Sequence, residues 1–241
     1  MIDTHAHLGD DAVDVLERAR AAGVTRVIAV ATSLAGAHRA LALADAHEGV
    51  YACLGIHPHE AGTREAEHVP EICALLDHPK AVAVGETGLD YFREYAPHDA
   101  QQRLFDRLLA VARDTGKPVV IHTRAADDDT ARRLLAYDGP VILHCFSSHA
   151  LLAPALERGW YISFAGNVTY KNAYELRAAA REVPPDLLLA ETDSPYLAPQ
   201  PVRGRRNEPA FVTYTYDLLA EVHGEDIRAQ IVANAKAVFG L

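Results

Sequence analysis

The chain has 241 residues, 49% of them hydrophobic, enough to bury the core of one large α/β domain without help from a disulfide or cofactor. Against 23 basic residues stand 33 acidic ones, and the net charge of −10 has the wrong sign for a protein that grips duplex nucleic acid by a broad basic face. Cys53, Cys73 and Cys145 form no disulfide framework, no basic and apolar leader opens the chain, and no apolar run nears the roughly 20 residues of a membrane span, so a cytoplasmic protein with no membrane contact is expected.

Short β-branched runs alternate with longer amphipathic stretches from one end to the other. Strands are expected at residues 2 to 5, Arg26 to Ala31, Val50 to Gly55, Ala81 to Glu86, Pro118 to His122, Val141 to Cys145, Trp160 to Ala165 and Leu187 to Glu191. Helical spacing lies between them, at Ala12 to Ala22, Ala37 to His47 and Ala100 to Thr115, where Leu104, Leu108, Leu109 and Ala112 share one face. The stretch Pro195 to Pro209 reads as a long loop before two last helices, Ala210 to His223 and Asp226 to Phe239. Strict alternation without a phosphate-binding glycine fingerprint predicts an α/β fold, a single (β/α)8 TIM barrel spanning residues 1–241, over a doubly wound open sheet.

The chemistry sits at the predicted strand ends. In Asp3-Thr4-His5-Ala6-His7 the side chains alternate, so His5 and His7 project to one side and can share a metal ion, with Asp3 deeper on that face as a supporting partner. Glu86, His122 and His144 each close a later strand, and Asp193 follows the eighth. The carboxyl ends of barrel strands converge, so these residues become neighbours. Burying four histidines and two carboxylates together without a cation is costly, and imidazole with carboxylate suits a divalent metal. Glu191, two residues before Asp193, fits a supporting role better than ligation. Cys145 is expected to pack on the opposite face from His144, and His38, His47, His68, His78, His98, His149 and His223 are expected to be solvated.

These motifs resemble the TatD family of metal-dependent deoxyribonucleases. The matching segments are Asp3 to Leu8, Gly55-Ile56-His57-Pro58-His59, Val84 to Tyr91, Pro118 to His122, His144-Cys145-Phe146-Ser147, Glu191 to Leu197 and Arg206 to Ala210. The resemblance implies two divalent ions (Mg, Mn or Zn): one on His5, His7 and Asp193, the other on His122 and His144, with Glu86 shared by both. It also implies hydrolysis of phosphodiester bonds, with a 3′–5′ exonuclease on single-stranded DNA, or RNA, as the expected activity and a nucleic acid as the partner.

Two ions lower the pKa of a water and clamp the attacking and leaving oxygens of a phosphodiester, with Asp193 the expected general base and Glu86 the second catalytic carboxylate. Substrate contacts are expected from His57 and His59 after the third strand, Asp90, Tyr91 and Phe92 after the fourth, Arg124 after the fifth, and the basic cluster Arg203, Arg205 and Arg206. The competing expectation is a two-metal hydrolase of a small amide, lactone or phosphoester, since ligand sets alone do not separate the two. No motif calls for an obligate protein partner.

Overall fold

Eight short apolar runs become strands in the computed structural model, which describes residues 1–241. They are β1 (Ile2–Ala6), β2 (Arg26–Val30), β3 (Val50–Leu54), β4 (Ala81–Asp90), β5 (Val119–Arg124), β6 (Val141–Leu143), β7 (Tyr161–Phe164) and β8 (Leu188–Ala190). Between and after them run α1 (Ala12–Ala21), α2 (Leu34–Ala46), α3 (Val69–Leu75), α4 (His98–Thr115), α5 (Asp127–Leu135), α6 (Leu152–Arg158), α7 (Tyr174–Glu182), α8 (Val212–His223) and α9 (Arg228–Phe239). The strands are hydrogen-bonded neighbours in chain order, β1 to β8, in one eight-stranded sheet. This alternation of parallel strand and helix is the (β/α)8 barrel that the sequence pattern predicts.

Contacts divide the chain into two compact units built from separated segments, residues 1–29, 144–147 and 161–241 in one, and 30–143 and 148–160 in the other. In the first, every residue of β1 is buried. Its backbone is tied to α8 by the buried Tyr216, whose hydroxyl donates to the Ile2 carbonyl at 2.9 Å and accepts from the Ile2 N–H at 3.2 Å. Asn234 of α9 donates to the Pro185 and Leu188 carbonyls, both at 2.8 Å, anchoring the entry to β8. In the second unit all ten residues of β4 are buried. Helix α4 covers it with Leu104, Phe105, Leu108, Leu109 and Ala112 and ends at Gly116, whose φ of +66° is the left-handed cap that glycine adopts without strain.

Most observed boundaries lie within one or two residues of the expected ones, and the exceptions have local causes. Helix α2 begins three residues early because Ser33 caps it, its hydroxyl accepting from the Gly36 N–H at 3.2 Å. Strand β4 runs on four residues past Glu86, with its pairing to β5 shifting register between Val84 and Thr87. Strand β6 stops at Leu143, so Cys145 is no longer on a regular strand and takes a φ of +45°. The stretch 195–209 is a loop with a short 3-10 turn at Gln200–Val202, and a second turn, Pro209–Phe211, leads from its end into α8. No helix is long and apolar enough to cross a membrane.

Candidate metal centre and active site

In the first unit the two ends of the chain meet at β1 and the segment after β8. The His7 N–H donates to the Ser194 carbonyl at 2.8 Å and the Asp193 N–H to the His5 carbonyl at 2.9 Å, so β1 and residues 193–194 continue as a parallel bridge. That pairing delivers three ligand-type side chains to one place. Ligand atoms of His5, His7 and Asp193 all lie within 4.8 Å of one another, with His7 Nε2 at 3.6 Å and His5 Nε2 at 3.9 Å from Asp193 Oδ1. Burial works to raise the Asp193 pKa, but its hydrogen bond to His7 and the nearby His144, His5 and His7 outweigh it and hold the carboxyl below its ordinary value. An anionic carboxylate between imidazoles is a donor set that fits a divalent ion.

His144 stacks on His5 with ring centroids 3.9 Å apart. Its Nδ1 donates to Glu191 Oε1 at 3.0 Å, and the same oxygen accepts the Cys145 N–H at 2.8 Å. A protonated Nδ1 leaves Nε2 as the basic nitrogen of His144, which is how a carboxylate orients a metal-binding imidazole. Glu191 is thus the hydrogen-bond partner of both His144 and the Cys145 backbone. Asp3 also supports, through the backbone: its carboxylate accepts from the His5 N–H, the Thr192 N–H and the Thr192 hydroxyl, at 3.3, 2.9 and 2.6 Å. Burial pushes its pKa up to about 8 against the pull of those Thr192 hydrogen bonds.

Two residues with no assigned role in the sequence reading hold the Asp193 turn. Thr192 locks to Asp3 as described, and the buried Asn207 donates to the Thr192 carbonyl at 2.8 Å and the Tyr196 carbonyl at 2.5 Å. Asp193 itself sits at φ +53°, the left-handed region that Asp tolerates better than most residues. An asparagine fifteen residues downstream of the carbonyl it binds carries no local signal that would have revealed this contact.

The second unit carries its own cluster, on β4 and β5 and on the loop after β3. Ligand atoms of His57, Glu86 and His122 lie within 4.8 Å of one another. His122 turns both ring nitrogens to carboxylates, Nδ1 to Glu86 Oε1 at 3.0 Å and Nε2 to Asp90 Oδ2 at 3.1 Å. Asp90 Oδ2 also accepts from His59 Nε2 at 2.9 Å, and Asp90 Oδ1 accepts the Phe92 and Arg93 N–H groups. Burial opposes ionisation of Asp90, yet the His122, Arg93 and His59 hydrogen bonds together depress its pKa far below the carboxylate range. Asp90 and His59, expected as substrate contacts, are therefore hydrogen-bonded members of this cluster.

His57 lies closer to the chemistry than its loop position suggests. Its Nδ1 accepts the His59 N–H at 3.2 Å, and its Nε2 is 3.5 Å from Glu86 Oε1. Burial lowers its pKa to about 4 despite the raising influence of Glu86, so the ring is neutral at pH 7. With Nδ1 used as an acceptor, the proton of the neutral ring sits on Nε2 and points at Glu86. This makes His57 a hydrogen-bond donor toward Glu86.

The remaining expected contacts diverge. Tyr91 donates its hydroxyl to Asp129 Oδ2 at 2.8 Å and stacks on His98 at 3.7 Å, so it braces the turn after β4, and His98 is not simply solvated. Arg124 lies over the Phe92 ring, 3.9 Å from its centroid. The basic run splits three ways: Arg203 covers Tyr170 at 3.7 Å, Arg205 approaches Phe211 at 5.1 Å, and Arg206 pairs with Asp11 at 3.3 Å. Successive loop residues point apart, and of the three Arg206 lines a small pocket beside His7, with Gly9, Ser194 and Asn207.

Residues 2–240 match the family model described as TatD related DNase. The chain belongs to the TatD family. TatD relatives match it end to end: it is 37% identical over 252 residues to an "uncharacterized metal-dependent hydrolase YabD" of Bacillus subtilis, covering 99% of this chain and 98% of the relative. It is 34% identical to a protein of Cronobacter sakazakii named "3'-5' ssDNA/RNA exonuclease TatD", covering 98% of this chain and 94% of that one. Among solved structures, the Escherichia coli TatD homologue YjjV superposes with a TM-score of 0.91 at 32% identity, covering 100% of this chain and 98% of that one. As a TatD-family protein the chain is a metal-dependent hydrolase, and its histidine and carboxylate clusters are suited to hold the metal.

Proposed function

We propose that the protein is a two-metal phosphodiester hydrolase, a 3′–5′ exonuclease acting on single-stranded DNA and, through the same contacts, on RNA. The observation that carries this reading is the pair of imidazole and carboxylate clusters, one on His5, His7 and Asp193 and one containing Glu86 and His122. The name carried by the C. sakazakii relative supports the choice of substrate and polarity. His144, with Nδ1 committed to Glu191, offers Nε2 as a further ligand atom. Imidazole-rich sets favour Mn²⁺ or Zn²⁺ over Mg²⁺.

When bound, two divalent ions supply an acidified water and neutralise charge on the phosphoryl oxygens. Asp193, anionic and hydrogen-bonded to His7, accepts the proton from the attacking water. Neutral His57 directs its Nε2–H toward Glu86 and holds that carboxylate in place. Arg206, which lines a small pocket beside His7, is the member of the basic run best placed to meet an anionic strand, with Arg203 and Arg205 just before it on the same loop. Three free thiols fit a reducing, cytoplasmic setting.

The test uses single-stranded oligonucleotides labelled at the 3′ or the 5′ end, metal-stripped protein, and Mg²⁺, Mn²⁺ or Zn²⁺ restored one at a time, with Glu86→Ala as control. Metal-dependent shortening from the 3′ end, absent in the variant, is the expected result. Protein that binds two ions yet cuts no strand would instead be a small-molecule hydrolase on the same barrel.

A further inference from the structure

The turn after β4 leaves two large aromatic side chains in solvent, Phe92 at 60% and Tyr95 at 65% exposure. Both rings sit on one turn and would gain by burial against a partner. Arg124, from the end of β5, lies 3.9 Å from the Phe92 ring centroid, and Arg93 lies 5.9 Å from it. Tyr95 packs edge-on against His59, centroids 4.7 Å apart, and His59 is hydrogen-bonded to Asp90, which also binds His122. The turn is held from beneath by the Asp90 carboxylate, which accepts the Phe92 and Arg93 N–H groups, and by buried Gln101, which donates to the Asp90 and Ala96 carbonyls. Two exposed aromatic rings and two arginines thus stand one contact away from the Glu86 and His122 cluster.

We propose that Phe92 and Tyr95, flanked by Arg93 and Arg124, form a stacking platform for the unpaired bases of a single-stranded nucleic acid. The proposal rests on the phosphodiesterase reading and specifies its substrate: bases stack on the rings while the arginines meet the adjoining phosphates. Bases within a duplex are already stacked on each other and have no face to offer, so the platform selects single strands. A small amide or lactone would leave it unused.

Wild-type, Phe92→Ala, Tyr95→Ala and Tyr95→Phe proteins, all metal-replete, are compared on a single strand carrying 2-aminopurine near its 3′ end and on the same strand with an abasic site there. Stacking quenches 2-aminopurine fluorescence. Wild type and Tyr95→Phe are expected to quench it, and both alanine variants to lose most of the quenching. KM in the alanine variants should rise about tenfold, equivalent to ~1.4 kcal/mol and within the range of base–aromatic stacking. The abasic strand should raise KM for wild type and add little for the variants. Phe92 meets Asp90 through its backbone N–H, which alanine keeps, so an effect in Phe92→Ala reports the ring and not that hydrogen bond. Unchanged quenching and KM in both alanine variants, or an equal rise on intact and abasic strands, overturns the proposal. A wild-type protein that quenches but never cleaves keeps the platform and loses the nuclease; one that cleaves without quenching does the reverse.

Discussion

Asp193 combines an unusual backbone with a demanding chemical role. At φ +53° a β-carbon is crowded, and among L-residues Asn and Asp meet that conformation at least cost. Asp193→Asn is therefore the informative substitution, since it keeps the turn and removes only the anion. It is expected to lower kcat by about 10³-fold, in line with loss of a general base, while the metal-stripped protein melts within a few degrees of wild type; kinetics with metal restored and calorimetry in chelator check both halves. His57 calls for the opposite outcome. If its Nε2–H orients Glu86 without ligating, His57→Gln should retain the full metal content by atomic emission while kcat falls about 10²-fold. Loss of an ion would make His57 a ligand. The sequence separates these two residues poorly. Asp193, His5 and His7 stand out because strand alternation and the position after β8 place them together, whereas His57 lies on a loop, where no periodicity says which way a side chain points. The same reason explains Arg203, Arg205 and Arg206, close in sequence and divergent in space.

Strand β4 shows what an element contributes beyond the residues that mark it. Its apolar run Ala81 to Val84 is legible, but Gly85, Thr87 and Gly88 dilute the pattern and the expected strand ends at Glu86. The observed strand continues to Asp90 and pairs Gly88 with His122 and Asp90 with Arg124. That extension is what brings Asp90 level with the end of β5, where it meets His122. Glycine is required for it: Gly88 has φ +137°, and a β-carbon there would overlap the His122 carbonyl. Gly88→Ala is expected to cost at least ~2 kcal/mol of stability and to displace His122, lowering the melting temperature by about 5 °C and kcat/KM by more than the stability loss explains. A variant that melts and turns over like wild type would show that β4 and β5 can separate here without consequence. Strand β6 errs the other way. Val141 to Leu143 continues in sequence into His144 and Cys145, but Glu191 captures the Cys145 N–H and the chain leaves the ladder. A carboxylate from 46 residues away overrides local strand propensity there, and nothing near Cys145 announces it.

At the scale of the molecule, the fold was the most legible feature, because eight apolar runs separated by amphipathic stretches leave few architectures open. The charge balance is a more informative guide to behaviour. A chain of net charge −10 that concentrates Glu86, Asp90, Asp193 and Glu191 at strand ends keeps these carboxylates in or near sites suited to cations. Cation binding to the native state must then stabilise it by mass action, since the unfolded chain disperses the ligands. At a free ion concentration about a hundredfold above the dissociation constant the gain is ~2.7 kcal/mol, which for a domain of this length raises the melting temperature by about 5–10 °C. Scanning calorimetry with a chelator and with Mn²⁺ or Zn²⁺ in excess measures it directly. The increment should shrink in His5→Ala and in Asp193→Asn, because each removes one ligand from the same trio, and should survive in Phe92→Ala, whose side chain touches no ligand. An increment of equal size in all four proteins would mean that the ion binds elsewhere on the acidic surface, and the clusters at the strand ends would then owe their stability to hydrogen bonds alone.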